Sequence, residues 1–427
     1  MPRVNIKELF KRRTTIRIIL VIVVQTTFAL LFDLFGLGAG SIGSFTFMNY
    51  AQIYANASTF IILLYPPLLA SDGGIGVLVS KLGTALHIGT IKPQILKNTK
   101  SYYTIISSVL LLGTFNALWI GMISYITNLV TSGQSRVLNP IPFFVIPIMT
   151  LTLSSLICTQ LASLLAFFIF KRKMNPDIWV YPTMSTINNI FSTLLYSAVI
   201  AIIQPKTWFD ESGKWISVNP NIYFLMIFAI LYLGFIGYII GKYAKVKDFW
   251  KTIKQAIPIQ SITLTVNSLT GGILSGADVA FAKYRALFLI YPALIDTMGD
   301  ECSIISNTTS TNLALGAIEP KITAIKDKDL WTNVIGVSSA GIILHLLYGI
   351  FSSLIVVDFA NMGIVIGISL AINIIGFLIV ESIIYLILIF SYRKGLDPDN
   401  IIVPIIAAIS NLVVSALILF FAFILPT

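Results

Sequence analysis

The chain is poor in the residues on which most enzyme chemistry depends. Its 427 residues include two histidines, two cysteines and only 11% charged side chains, against about 25% in soluble domains. His87 and His345 are far apart, as are Cys158 and Cys302, and all lie in or beside apolar segments. This excludes a closely spaced His/Cys metal motif and a disulfide framework. Both cysteines read as packing residues, and each histidine as a polar packing residue or a residue with a transport role. The sequence has no Gly-rich phosphate loop and no serine with an evident base partner, so nothing in it supports an enzyme.

What the chain does have is apolar length. It is 56% hydrophobic with a mean hydropathy of +0.90. Runs of roughly 20 apolar residues, enough to cross a bilayer, recur along it. The reading is an all-α polytopic membrane protein with spans at 16–36, 45–70, 102–130, 141–170, 178–203, 222–241, 253–276, 279–297, 330–356, 362–391 and 400–426. The basic N-terminus lacks a small-residue cleavage site, so the first span reads as a retained helix. The net charge of +10 is spread over short loops, which argues for a topological signal and against nucleic acid. With the N-terminus in the cytoplasm, all of the 28 Lys and Arg except Arg136, Lys206, Lys214, Lys283 and Arg285 fall inside. The expected setting is therefore the cell membrane, with the C-terminus outside.

An internal repeat organises these spans. "YPPLLASDGGIGVLVSKLGTALHIGTIKP" at 65–93 aligns with "YPALIDTMGDECSIISNTTSTNLALGAIEP" at 291–320, pairing Gly73 with Gly299, Ser80 with Ser306 and Gly89 with Gly316. "NPDIWVYPTMSTINN" at 175–189 aligns with "DPDNIIVPIIAAISN" at 397–411. Two five-helix repeats follow, 1–205 and 251–427, joined by 206–250, which holds a polar loop (204–221, with Trp208 and Trp215) and one linking helix. Because five is odd, the linking helix makes the repeats parallel, related by a pseudo-two-fold axis along the membrane normal. One chain then imitates a homodimer, with its natural pathway between the halves.

Ionisable groups at membrane depth are costly and point to function. Asp72 ends the second span of the first repeat; Asp296, Asp300 and Glu301 end its counterpart. Carboxylates among Ser, Thr and Asn suit a hard, partly hydrated cation, although a solvated, capped helix end has the same composition. On the fifth helix of each repeat, Pro182, Ser185 and Asn189, and likewise Pro404, Ala407 and Asn411, share one face. With Asn188 and Ser410 beside them, these positions fit either a narrow passage or close helix packing. Asp177, Asp397 and Asp399 open those helices, as dipole-complementing caps or as an acidic cytoplasmic mouth. Glu381 is a lone mid-helix acid whose first-repeat counterpart is Thr159.

At these motifs the chain resembles the membrane domain of the MgtE-type magnesium transporters and their eukaryotic solute-carrier relatives. Both copies look like that family's apolar helix ending in Pro-x-Leu, its Gly-rich turn and its small-residue helix closed by Gly. The resemblance implies five-helix units paired about a central pore, with magnesium or another divalent ion as cargo and no cofactor. It also implies that the residue seven after Pro182 and Pro404 ligates the ion. The family carries Asp there, whereas this chain carries Asn189 and Asn411. At an effective dielectric constant of about 20 and a separation of ~6 Å, each lost carboxylate forgoes roughly 5 kcal/mol of attraction for a divalent ion. Three outcomes are open: a more hydrated ion, replacement by Asp296, Asp300 and Glu301, or a changed cargo. A secondary transporter of monovalent cations or a small solute, or a non-transporting scaffold, would keep the same fold.

Overall fold

The computed structural model describes residues 13–31, 64, 68, 71, 73–131, 139–203, 220–275 and 285–424. The second expected span (45–70), Asp72, Trp208 and Trp215 lie outside the described residues. Among those described there are eleven α-helices and no strand. They are α1 (Arg13–Leu30), α2 (Gly73–Ile88), α3 (Lys100–Thr131), α4 (Pro140–Lys171), α5 (Pro176–Ile203), α6 (Asn221–Tyr243), α7 (Lys247–Ser275), α8 (Arg285–Ala314), α9 (Lys328–Val356), α10 (Met362–Arg393) and α11 (Ile402–Ile424). A short 3-10 turn, Pro398–Asn400, leads into α11.

Seven of these, α3 to α6 and α9 to α11, are long and apolar enough to cross a membrane. The chain is an all-α, multi-pass membrane protein. Of the other four, α1 and α2 are apolar but shorter, while the polar residues of α7 and α8 explain their low hydropathy. Gln260 and Asn267 of α7, and Asp300, Glu301, Ser303 and Asn307 of α8, are all buried. Helices too polar for lipid have been turned inward, as the cost of unsatisfied polar groups in hydrocarbon requires.

One sequence expectation is corrected. The span read as 279–297, with a Gly-rich turn after it, is a single helix of 30 residues through Gly299 to Ala314. At 1.5 Å per residue it is about 45 Å long, enough to reach through the headgroup regions as well. In both copies the stop is a glycine in the left-handed region, Gly89 at φ 81° and Gly316 at φ 70°, where a side chain would be strained.

The first helix of each repeat reaches across to the other repeat while keeping contact with its own, α1 with α5 and α7 with α11. α1 packs along α9 of the second repeat, and α7 packs along α3 of the first. At the first contact, a side chain at Gly336 would run into Ile22. At the second, the Trp119 indole N–H donates to Thr265 Oγ1 at 3.2 Å. These contacts interchange under the pseudo-two-fold that relates α1 to α7 and α3 to α9.

Of the four residues read as packing, Cys158, Cys302 and His345 are buried and His87 is exposed. Cys158 and Cys302 are buried free thiols. His345 is buried between α9 and α10, where Ser369 Oγ donates to its carbonyl at 2.9 Å and the Ser369 carbonyl lies 3.0 Å from Nδ1.

The crossing yields a test. Gly336→Leu should lower the thermal midpoint in detergent below that of Gly234→Leu, which has open space around it. The overpacking cost is about 1–3 kcal/mol. Equal midpoints for the two variants would contradict the α1–α9 contact.

Candidate functional site

Besides the α1–α9 and α7–α3 contacts, the repeats meet through α2 and α5 of the first and α8 and α11 of the second. The local geometry begins with a shared tripeptide, Asn175-Pro176-Asp177 before α5 and Asp397-Pro398-Asp399 before α11. In each, the first side chain accepts the N–H of the third residue, at 3.0 Å for Asn175 and 3.2 Å for Asp397. Proline in between has its φ preset and no N–H to satisfy. The cap is thus supplied by Asn175 and Asp397. Asp177 and Asp399, whose composition fits a cap equally well, are left to reach across the interface.

They do so reciprocally. Asp177 of the first repeat accepts from Thr311 Oγ1 on α8 at 3.0 Å. Asp399 of the second accepts from Ser80 Oγ on α2 at 2.9 Å, and from Ser310 Oγ at 2.6 Å. Both carboxylates are buried. Asp177 lies flat against α2 because residue 83 is glycine; a methyl group there would overlap its carboxylate. His87 Nε2 stands 3.9 Å from Asp177 and 3.4 Å from Asn175 Oδ1. Burial raises the Asp399 carboxyl above the ordinary aspartate range, and the neighbouring Asp397 carboxylate pushes it the same way. Lys81 opposes the shift; its Nζ is 2.7 Å from Asp397 Oδ2.

Deeper along α8, residues 296, 300, 303, 307 and 310 recur every three or four positions and so share one face. Asp296 is half-buried and accepts from Asn189 Nδ2 at 2.9 Å, a bond between the repeats. Asp300 lies one turn on and is buried. Beyond it the Ser303 Oγ and Asn307 Nδ2 atoms are buried without hydrogen-bond partners, as are Asn189 Oδ1 and Ser410 Oγ. A buried polar atom left unsatisfied costs about 1–3 kcal/mol. The strip is thus lined by carboxylate, hydroxyl and amide groups. Among the described residues, no group of three or more His, Cys, Asp and Glu side chains is placed to cage a metal.

Other residues singled out from the sequence lie elsewhere. Glu301 points into the second repeat, where it accepts from Asn373 Nδ2 of α10 at 2.7 Å and lies against Gly341 of α9. Asn188 turns to α4 and accepts from Ser154 Oγ at 2.9 Å. Asn411 does not meet Asn189; its amide donates to Asn267 of α7 at 3.2 Å. Ser185 is buried on α5 and Ala407 is partly buried on α11. Glu381 Oε2 is buried and lacks a hydrogen-bond partner. Sequence reasoning missed Ser80, Gly83, Thr84, Ser310 and Thr311 as partners of the acids. The repeat alignment paired Ser80 with Ser306, which was the one available hint. Lys81 had counted only as a topological charge.

Thr84 and Thr311 face each other across the interface, with their hydroxyl oxygens 3.5 Å apart. The double variant Thr84→Cys/Thr311→Cys should form a disulfide under mild oxidation. A protease site inserted in the 204–221 loop would then release two fragments only after reduction. Fragments that separate without reductant would refute this contact.

A family model described as MgtE, divalent cation transporter, matches residues 65–199 and 291–422. No curated protein and no solved structure gave a match.

Proposed function

Because the chain belongs to the MgtE divalent cation transporter family, we propose that it carries magnesium along the polar strip between its two repeats. The carrying observation is the bond from Asn189 to Asp296. The charge missing from the fifth helix of the first repeat is supplied from α8 of the second, within hydrogen-bonding distance of the residue that lacks it. Asp300 adds a second carboxylate one turn away, while the level of Asn411 stays neutral through Asn267. Few carboxylates among several amide and hydroxyl oxygens suit an ion that keeps part of its hydration shell, as Mg²⁺ does.

Asp177, Asp397 and Asp399 form the mouth, which opens to the cytoplasm with the N-terminus on the same side. There they concentrate cations by their charge. Asp296 and Asp300 attract the ion inside the strip, with Asn189 and Asn411 as neutral oxygen ligands and Ser185 and Ser410 beside them. Asp72 is a further partner from the first repeat. Glu301 sets the packing of α8 within the second repeat and stands off the path.

Purified protein in liposomes should pass Mg²⁺ or Mn²⁺ faster than empty liposomes. Asp296→Ala combined with Asn411→Ala should reduce that flux about tenfold or more, the equivalent of ~1.4 kcal/mol of lost stabilisation. Glu301→Gln should change it far less. Wild-type flux equal to the empty-liposome background for Mg²⁺, Mn²⁺, Ca²⁺ and Co²⁺ would overturn the reading. The neutral Asn189 and Asn411 keep a second reading in play, transport of a monovalent cation; uptake driven by a sodium or proton gradient without divalent flux would favour it.

A further inference from the structure

Lys81 is not needed by the pathway just described, yet it stands among the acids at the mouth. It follows Ser80 on α2, so the two neighbours engage Asp397 and Asp399 of the other repeat at the same time. Its ammonium is 2.7 Å from Asp397 Oδ2, and the side chain is only 13% exposed. Asp397 spends its other oxygen on the Asp399 N–H, so the ammonium takes up the face left for a cation. A cavity of about 220 Å³ opens beside the pair, lined by Lys81, Thr84, Asp248, Lys251, Asp397 and Asp399 among others. The position aligned with Lys81 in the second repeat is Asn307, so the mouth has one such ammonium where symmetry would give two.

We propose that Lys81 is a tethered cation that competes with the transported ion for Asp397 and Asp399, and so sets the concentration at which that ion enters. The proposal rests on the transport reading above. A dication arriving through the cavity meets two carboxylates already partly neutralised. It gains full access only when the ammonium swings away, which the long lysine stem permits. A lysine kept only for helix packing would have no reason to move with ion concentration.

Two measurements decide it. In liposomes, Lys81→Gln should lower the half-saturating Mn²⁺ concentration about threefold, the scale of a partly exposed ion pair, and Lys81→Arg should stay near wild type. A half-saturation in Lys81→Gln equal to or above wild type would overturn the proposal. The second measurement uses wild-type protein and is independent of how the variants fold. Brief acetylation with acetic anhydride, read by mass spectrometry, should label Lys81 more strongly in saturating Mn²⁺ than in sodium chloride of equal ionic strength. Exposed Lys326 should be labelled equally in both. Labelling of Lys81 that is unchanged or reduced by Mn²⁺ would refute the competition. Absence of wild-type flux would instead refute the transport reading, so the two failures are distinguishable.

Discussion

A carboxylate in a membrane-spanning protein must be turned away from hydrocarbon and given hydrogen bonds, and here one repeat supplies the bonds for the other's acids. Asp177 rests on Thr311 and Asp399 on Ser80, with Ser310 of its own repeat as a second donor to Asp399. Much of the interface follows from this exchange. Gly83 has no side chain because Asp177 lies where one would be. The small hydroxyl residues on α2 and α8 supply donors without holding the helices apart. The Asx-Pro-Asp turns set both acids at equivalent places with their own N–H groups already satisfied.

The symmetry of the mouth is not carried down the strip. Asn189 and Asn411 occupy equivalent positions, but one meets a carboxylate and the other an amide. Asp300 aligns with Gly74 and Glu301 with Ile75 of the first copy. Fusion of the two halves into one chain lets each side diverge, which a symmetric homodimer cannot do. Charge has accumulated on α8 while α2 has kept glycines and one lysine at the mouth. The acids are therefore unevenly distributed between the two copies.

The class of fold was legible because apolar runs of bilayer length admit few other readings, and the repeat because its glycines and prolines keep their spacing. Side-chain direction was much less legible. Asp300 and Glu301 are adjacent, and a step of 100° around α8 sends one to the interface and the other into the second repeat. Whether such a run is a helix or a turn decides which is which, and Gly299 argued for a turn. Lys81 looked like one more loop charge because its partner is 316 residues away. The crossing of α1 and α7 to the other repeat left no mark on the spacing of the spans, since either placement buries the same apolar faces.

That crossing bears on how the chain is made. α1 leaves the ribosome well before its packing surface on α9, which is synthesised some three hundred residues later. Until then it must wait in the bilayer with that face covered by lipid or by a chaperone. α7, by contrast, finds α3 already inserted. The order of synthesis is therefore lopsided even where the finished architecture is nearly symmetric, with one contact between the repeats available far later than its counterpart.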